Sequence, residues 1–200
     1  MNMRSTRSAG ALVAVAALGL TACGAGAGSG GAGSAGDDGA DGAQGTNRVV
    51  TTIPKAERQP APDLSGTTTR GKPLDLADYR GKVVVLNLWG SNCAPCIAEA
   101  PHFTKVAKAT EAKGVRFVGI TRDVERSRAV DFEDKHHTPY PSLFDPGDKL
   151  VQRFPKGVIN PQVIPVTVAL DRKGRPAARS LGALDEGELR ALITPLLAEK

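Results

Sequence analysis

Two cysteines separated by two residues carry the clearest chemistry in this sequence. Cys93 and Cys96 follow an almost unbroken apolar run at 83–88 and precede a segment with apolar residues at helical spacing. Such a run is typical of a strand buried on both faces, so the pair is predicted to lie where a strand passes into a helix. A helix N-terminus has unpaired N–H groups and about half a positive charge, which would stabilise a thiolate at Cys93.

The thiolate is the form of cysteine that attacks a disulfide. Cys96 lies one turn further into the predicted helix and is expected to be more shielded. This arrangement predicts that Cys93 exchanges with a partner and that Cys96 then resolves the mixed disulfide. The redox centre would be the Cys93–Cys96 pair itself, and no other cofactor is expected.

A zinc site and a permanent structural disulfide are the alternative interpretations of the pair. Zinc takes four protein ligands, or three and water, but the chain has no second Cys-x-x-Cys and only three histidines. A disulfide that closes so small a loop adds little entropic stabilisation. We therefore expect a reactive pair and no metal site.

The elements that must position the pair are predicted from residue 63 onward. The first part comprises a hairpin at 67–74, a strand at 83–88, a helix that ends before Gly114, and a strand at 115–121. A helix at 124–137 capped by Asp123, a strand at 141–144 and helical turns within 148–154 follow. The last part comprises a strand at 163–170, a hairpin turn at 171–174, and a helix that has a capping box of Asp185 and Glu188 and that Pro195 should kink. This order predicts an α/β fold in which helices flank a mixed central sheet, with an N-terminal hairpin and a central helix-strand insertion.

The first 62 residues are predicted to lie outside the folded domain. Residues 1–22 have two arginines followed by an apolar run that is too short to span a bilayer, which is the pattern of an export signal. The segment at 23–62 is rich in Gly, Ala, Ser and Asp and then contains prolines, so we expect a flexible tether. The domain would occupy 63–200. No run of five Lys or Arg residues is present, and nothing indicates a nucleic-acid partner.

Two stretches resemble known families. Leu20-Thr21-Ala22-Cys23 resembles the bacterial lipobox, which implies lipid on Cys23 and a place on the outer face of the cell membrane. The alternative is a secreted protein cut near Ala22, with Cys23 as a spare thiol. The stretch 81–96, with Pro101 and the segment 164–167, resembles the TlpA-like branch of the thioredoxin superfamily.

That resemblance implies a thioredoxin-like fold and an anchored thiol-disulfide oxidoreductase, in many cases one that serves cytochrome c maturation. Its partners would be protein thiols and disulfides outside the cytoplasm, with a transmembrane thiol carrier as electron donor. Pro165 would be cis and face the cysteines, Ile164 would offer its backbone to a substrate strand, and Trp89 would line the substrate groove. Glu99 would move protons to and from the cysteines. An ordinary trans Pro165 and a solvated Glu99 are the alternatives.

Some positions depart from the superfamily pattern. Asn87 stands where thioredoxin has a buried aspartate, and an amide cannot accept a proton from Cys96. Peroxiredoxins have threonine and proline at the positions that Gly90 and Leu86 occupy, so a thiol peroxidase is the weaker alternative. A non-catalytic binding module would be favoured only by loss of a cysteine. An oxidant that installs disulfides uses the same chemistry in reverse, and the sequence does not decide the direction.

Overall fold

Eight strands and three helices form within residues 49–199, the part of the chain that the computed structural model describes. They are β1 (Val49–Thr52), β2 (Ser65–Thr67), β3 (Pro73–Asp75), β4 (Val83–Trp89), α1 (Ala94–Thr110), β5 (Val115–Thr121), α2 (Arg126–Lys135), β6 (Ser142–Phe144), β7 (Val166–Leu170), β8 (Pro176–Leu181) and α3 (Glu186–Ala198), with 3₁₀ turns at Leu76–Tyr79, Glu111–Lys113 and Val151–Arg153. Six strands form one sheet in the order β1-β8-β7-β4-β5-β6, and β2 and β3 form a separate hairpin. The hairpin, the mixed sheet and the α2–β6 insertion confirm the predicted α/β architecture.

Strand β4 lies at the centre of the sheet, and the loop that carries Cys93 follows its last residue. All seven of its residues are buried, as its apolar run predicts. It pairs parallel with β5, where Trp89 is opposite Thr121, and antiparallel with β7, where Leu88 is opposite Val166. Because β5 ends and β7 begins at the end of β4, the turns beside them meet the loop that carries Cys93.

Alternate residues of β4 enter two separate cores. Leu86 and Leu88 pack on one face with the N-terminal hairpin and the segment around residue 150. Val83 and Val85 pack on the other face against Phe103 of α1 and apolar residues of α3. Burying a side chain of this kind contributes roughly 1.5–3 kcal/mol, so the sheet and α1 form a rigid base for the cysteine pair.

The folded domain begins before residue 63, and the predicted tether boundary at residue 62 is wrong. Strand β1 pairs with β8, and the Ala61 amide donates to the Gly174 carbonyl at 3.0 Å. The Arg58 guanidinium contacts both carboxylate oxygens of Glu199, at 2.7 and 2.8 Å. The local sequence does not show that this segment belongs to the domain, because the residues it contacts lie more than 100 positions away. The predicted signal peptide, Cys23 and the rest of the tether lie outside the described residues.

One helix prediction is corrected and another is confirmed. Helix α2 begins at Arg126 after Glu125, and Asp123 does not cap it. Helix α3 contains Pro195 and ends at Ala198, and its predicted capping box of Asp185 and Glu188 is confirmed. No helix within 49–199 combines the length and apolar character needed to cross a membrane.

Candidate active site

Cys93 and Cys96 form a disulfide at the start of α1, with their Cα atoms 5.2 Å apart. Cys93 is the N-cap residue of the helix and is half-buried, whereas Cys96 is only 1% exposed. The Cys93 sulfur is therefore the one that a second protein can reach.

The backbone of the first helical turn is directed at the Cys93 sulfur. The Cys96 amide donates to Cys93 Sγ at 3.2 Å, and Pro95, one residue earlier, has no N–H to compete. N–H groups in this turn have no intrahelical acceptor, so a sulfur at the N-cap satisfies one of them. The same amide and the helix dipole would stabilise a thiolate after reduction.

An aromatic cluster supports the disulfide from inside the protein. Trp89 packs with Cys96 and Ala129, and its ring stacks on Phe132 with centroids 4.4 Å apart. Trp89 is only 3% exposed, and its place in the substrate groove stays a prediction. The sequence analysis missed Phe132, although apolar residues at i and i+3 in the charged helix α2 are a signal for it.

The predicted loop before β7 lies beside the cysteine pair. The Ile164–Pro165 peptide bond is cis, as the family resemblance implied. Ile164 is half-buried and packs against the cluster of Trp89 and Cys96. Within residues 49–199, neither its amide nor its carbonyl forms a backbone hydrogen bond, so both remain able to pair with an extended partner.

Glu99 is a buried acid and not a solvated helix residue. It is 2% exposed; its carboxylate accepts hydrogen bonds from Asn87 Nδ2 at 2.8 Å and from the Leu184 amide at 3.1 Å. Burial disfavours the charged form and raises the pKa of Glu99 to about 8, while the two hydrogen bonds oppose that shift. Asn87, which cannot itself accept a proton, thus orients the acid that can.

The structure also shows where Asp123 and the three histidines lie relative to the cysteine pair. Asp123, expected to cap α2, instead accepts hydrogen bonds from Ser91 in the active-site loop. Within the described residues, no group of three or more His, Cys, Asp or Glu side chains could hold a metal ion. The histidines at 102, 136 and 137 are therefore not brought together with the cysteine pair as metal ligands.

Comparisons with known proteins agree with this geometry. Residues 58–194 match the AhpC/TSA family. The thiol-disulfide oxidoreductase ResA of Bacillus cereus is 26% identical over 133 residues, which are 66% of this chain and 74% of that protein.

Solved structures give the same picture. A secreted thiol-disulfide isomerase from Corynebacterium glutamicum superposes with a TM-score of 0.70 and 31% identity, over 79% of this chain and 96% of that one. A thiol:disulfide interchange protein from Chlorobium tepidum gives 0.66 and 26%, over 72% and 100%. The names of these relatives describe thiol-disulfide exchange, which a reachable sulfur beside a buried one can perform. This chain accordingly belongs to the AhpC/TSA family and is a thiol-disulfide oxidoreductase of the thioredoxin superfamily.

Proposed function

We propose that this protein reduces disulfides of partner proteins outside the cytoplasm while a lipid on Cys23 holds it at the membrane. The observation that supports the exchange most strongly is the pairing of a reachable sulfur, Cys93, with a shielded one, Cys96. The export-signal pattern, the lipobox-like end at Cys23 and the secreted relative from Corynebacterium glutamicum support the location.

In the proposed cycle, the Cys93 thiolate attacks one sulfur of the partner's disulfide. The partner's S–S bond breaks, a mixed disulfide forms, and one partner thiolate leaves. Cys96 then loses its proton and attacks the Cys93 sulfur, which releases the second partner thiolate and closes the Cys93–Cys96 disulfide. Two electrons have passed to the partner, and a transmembrane dithiol carrier would return the pair to its reduced form.

Glu99 is proposed as the group that takes the proton of Cys96 and returns it. It lies three residues after Cys96 in α1, so the two side chains share one face of the helix. A free thiol has a pKa of about 8.5, close to the value of about 8 for Glu99. A proton can therefore move between the two groups at little cost in free energy, as general acid–base catalysis requires.

The partner strand is proposed to bind beside the Ile164–Pro165 bond. The backbone amide and carbonyl of Ile164 have no backbone partner among the described residues, and main-chain pairing of this kind gives affinity without requiring one side-chain sequence. Cytochrome c maturation is the proposed setting, and it rests on the resemblance to the TlpA-like branch.

Trapping of mixed disulfides tests the exchange. Cys96→Ser should leave partners bound to Cys93 because the resolving sulfur is gone, and mass spectrometry of the adducts would identify them. Cys93→Ser is the matched control and should trap far fewer, because Cys96 is buried. Equal trapping by both variants, or no trapping by Cys96→Ser in native membranes, would contradict the assigned roles.

The direction of exchange and the anchor need separate measurements. A reduction potential of about −270 mV would support a reductant, and one of about −120 mV would instead identify an oxidant that installs disulfides. Cys23→Ala should move the full-length protein from the membrane fraction to the soluble extracellular fraction. Retention of this variant in the membrane would refute the lipid anchor.

A further inference from the structure

The turn between β5 and α2 holds the active-site loop through one carboxylate. Asp123 accepts hydrogen bonds from the Ser91 amide at 3.0 and 3.2 Å, one to each oxygen. Its Oδ1 also accepts from the Ser91 hydroxyl at 3.0 Å, and its Oδ2 accepts from the Thr121 hydroxyl at 3.1 Å. Since Thr121 is the last residue of β5, these contacts connect the central sheet to the residue two positions before Cys93.

Backbone contacts fix both ends of the same loop. The Arg122 amide donates to the Trp89 carbonyl at 3.2 Å, and the Cys93 amide donates to the Gly90 carbonyl at 3.2 Å. Among the described residues, the hydrogen bonds from Ser91 to Asp123 are the only ones that join the middle of the loop to the β5–α2 turn. Without the carboxylate, the segment between Gly90 and Cys93 would keep its two end contacts and lose the central one.

Gly90 lies close to this carboxylate and to the loop that precedes β7. A Cβ atom at Gly90 would lie 3.7 Å from Asp123 Oδ1 and 3.4 Å from Ile164 Cδ1. The Asp123 carboxylate and the Ile164 side chain therefore both lie close to the same position in the active-site loop.

We propose that Asp123 is a positioning residue of the redox site, which holds Cys93 at the N-cap of α1 and so favours closure of the disulfide. An ordered loop loses less conformational entropy when the two sulfurs join. The negative charge of the carboxylate also opposes formation of a thiolate nearby, which disfavours the reduced pair. Both effects favour the disulfide form, and both disappear when the carboxylate is removed.

The experiment is an equilibrium titration of the oxidised protein with a dithiol of known potential. Oxidised protein and dithiol give reduced protein and the cyclic disulfide, so electrons and protons balance. We expect Asp123→Ala to favour the reduced form about tenfold, a shift of about 30 mV. Asp123→Asn keeps one acceptor oxygen and loses the charge, and we expect it to favour the reduced form about threefold, a shift of about 14 mV. Exchange of the Ser91 amide should be faster in Asp123→Ala than in the wild type.

Asp75→Ala is the matched control. That carboxylate also accepts from a backbone amide, Ala77 N at 2.9 Å, but in a turn that carries no residue of the site, so its equilibrium should stay within twofold of the wild type. An Asp123→Ala value within twofold of the wild type would overturn the proposal, and so would an Asp123→Asn shift as large as that of Asp123→Ala. If Asp123→Ala does not fold, Ser91→Ala removes one of the same bonds from the other partner and should shift the equilibrium in the same direction; no shift would overturn the proposal.

This inference rests on dithiol exchange at Cys93 and Cys96 and not on the direction that we propose for it. The wild-type potential reports the direction of exchange. The difference between variants reports the role of Asp123, so either idea can fail while the other stands.

Discussion

The buried carboxyl of Glu99 should make the stability of the oxidised protein depend on pH in a way that Glu99→Gln removes. Glutamine has the same shape and can keep both hydrogen bonds. The Leu184 amide can donate to its carbonyl oxygen, and the Asn87 amide can turn over to accept from its N–H₂ group. The substitution therefore removes the titration and leaves the packing of α1 in place.

The direction of this pH dependence follows from the raised pKa of Glu99. Between pH 4.5 and about 8 the native protein keeps the Glu99 proton, whereas the unfolded chain loses it. Unfolding then releases a proton, so the free energy of unfolding falls as pH rises, by about 1.4 kcal/mol for each pH unit. From pH 5 to pH 7 the wild type should lose about 2–3 kcal/mol through this residue. The contribution is fully present below pH 4.5 and is lost above about pH 8.

The assay is urea unfolding of the oxidised protein at pH 5, 6, 7 and 8, with Trp89 fluorescence as the signal. The two proteins should have similar stability at pH 5, and Glu99→Gln should become the more stable one as pH rises. The pKa of Glu133 is also raised, chiefly by burial, but Glu133 is present in both proteins and cancels in the difference. Glu125→Gln, at an exposed position of an ion pair, should follow the wild-type curve.

Parallel curves for the wild type and Glu99→Gln between pH 5 and pH 8 would refute this reasoning. They would mean that Glu99 is ionised in the folded protein at neutral pH. The proposed proton exchange with Cys96 would then lose its basis, because the pKa of Glu99 would no longer match that of a thiol.

Two further predictions concern the packing around the site and the corrected N-terminal boundary. Gly119→Ala should destabilise the protein by about 1–3 kcal/mol, because its Cβ would lie 2.7 Å from Trp89 Nε1; unchanged urea unfolding together with unchanged tryptophan fluorescence would contradict it. Arg58→Ala should cost about 2 kcal/mol and speed amide exchange in β1, because the contacts of Arg58 with Glu199 are removed. Arg128→Ala, which breaks a pair whose side chains are 53% and 59% exposed, should change stability by under about 0.5 kcal/mol. Equal effects of the two arginine substitutions would show that the segment before residue 63 is not held by Arg58.

Features set by neighbouring residues were predicted well. The apolar run at 83–88 gives a central strand, and the cysteines after it begin a helix. The capping box of Asp185 and Glu188 is an interaction across three residues and forms as predicted. The cis bond before Pro165 was implied by the family resemblance and not by any local pattern.

Features that depend on distant partners were missed or left open. An aspartate just before a helix, such as Asp123, can cap that helix or accept hydrogen bonds from a neighbouring loop. Only the parallel pairing of β4 with β5 brings Asp123 to Ser91. Trp89 is buried and stacks on Phe132 of α2, a contact that no pattern near Trp89 in the sequence shows.

The sequence alone determined where the redox chemistry lies, because a cysteine pair at the junction of a strand and a helix is a local arrangement. Tertiary structure decided what surrounds it. Glu99 has a raised pKa because it is buried away from water, and the hydrogen bond from Leu184, 85 residues away, only partly opposes that shift. Periodicity shows which face of a helix is apolar, but the proton affinity of a polar residue on that face depends on groups that only the folded chain brings to it.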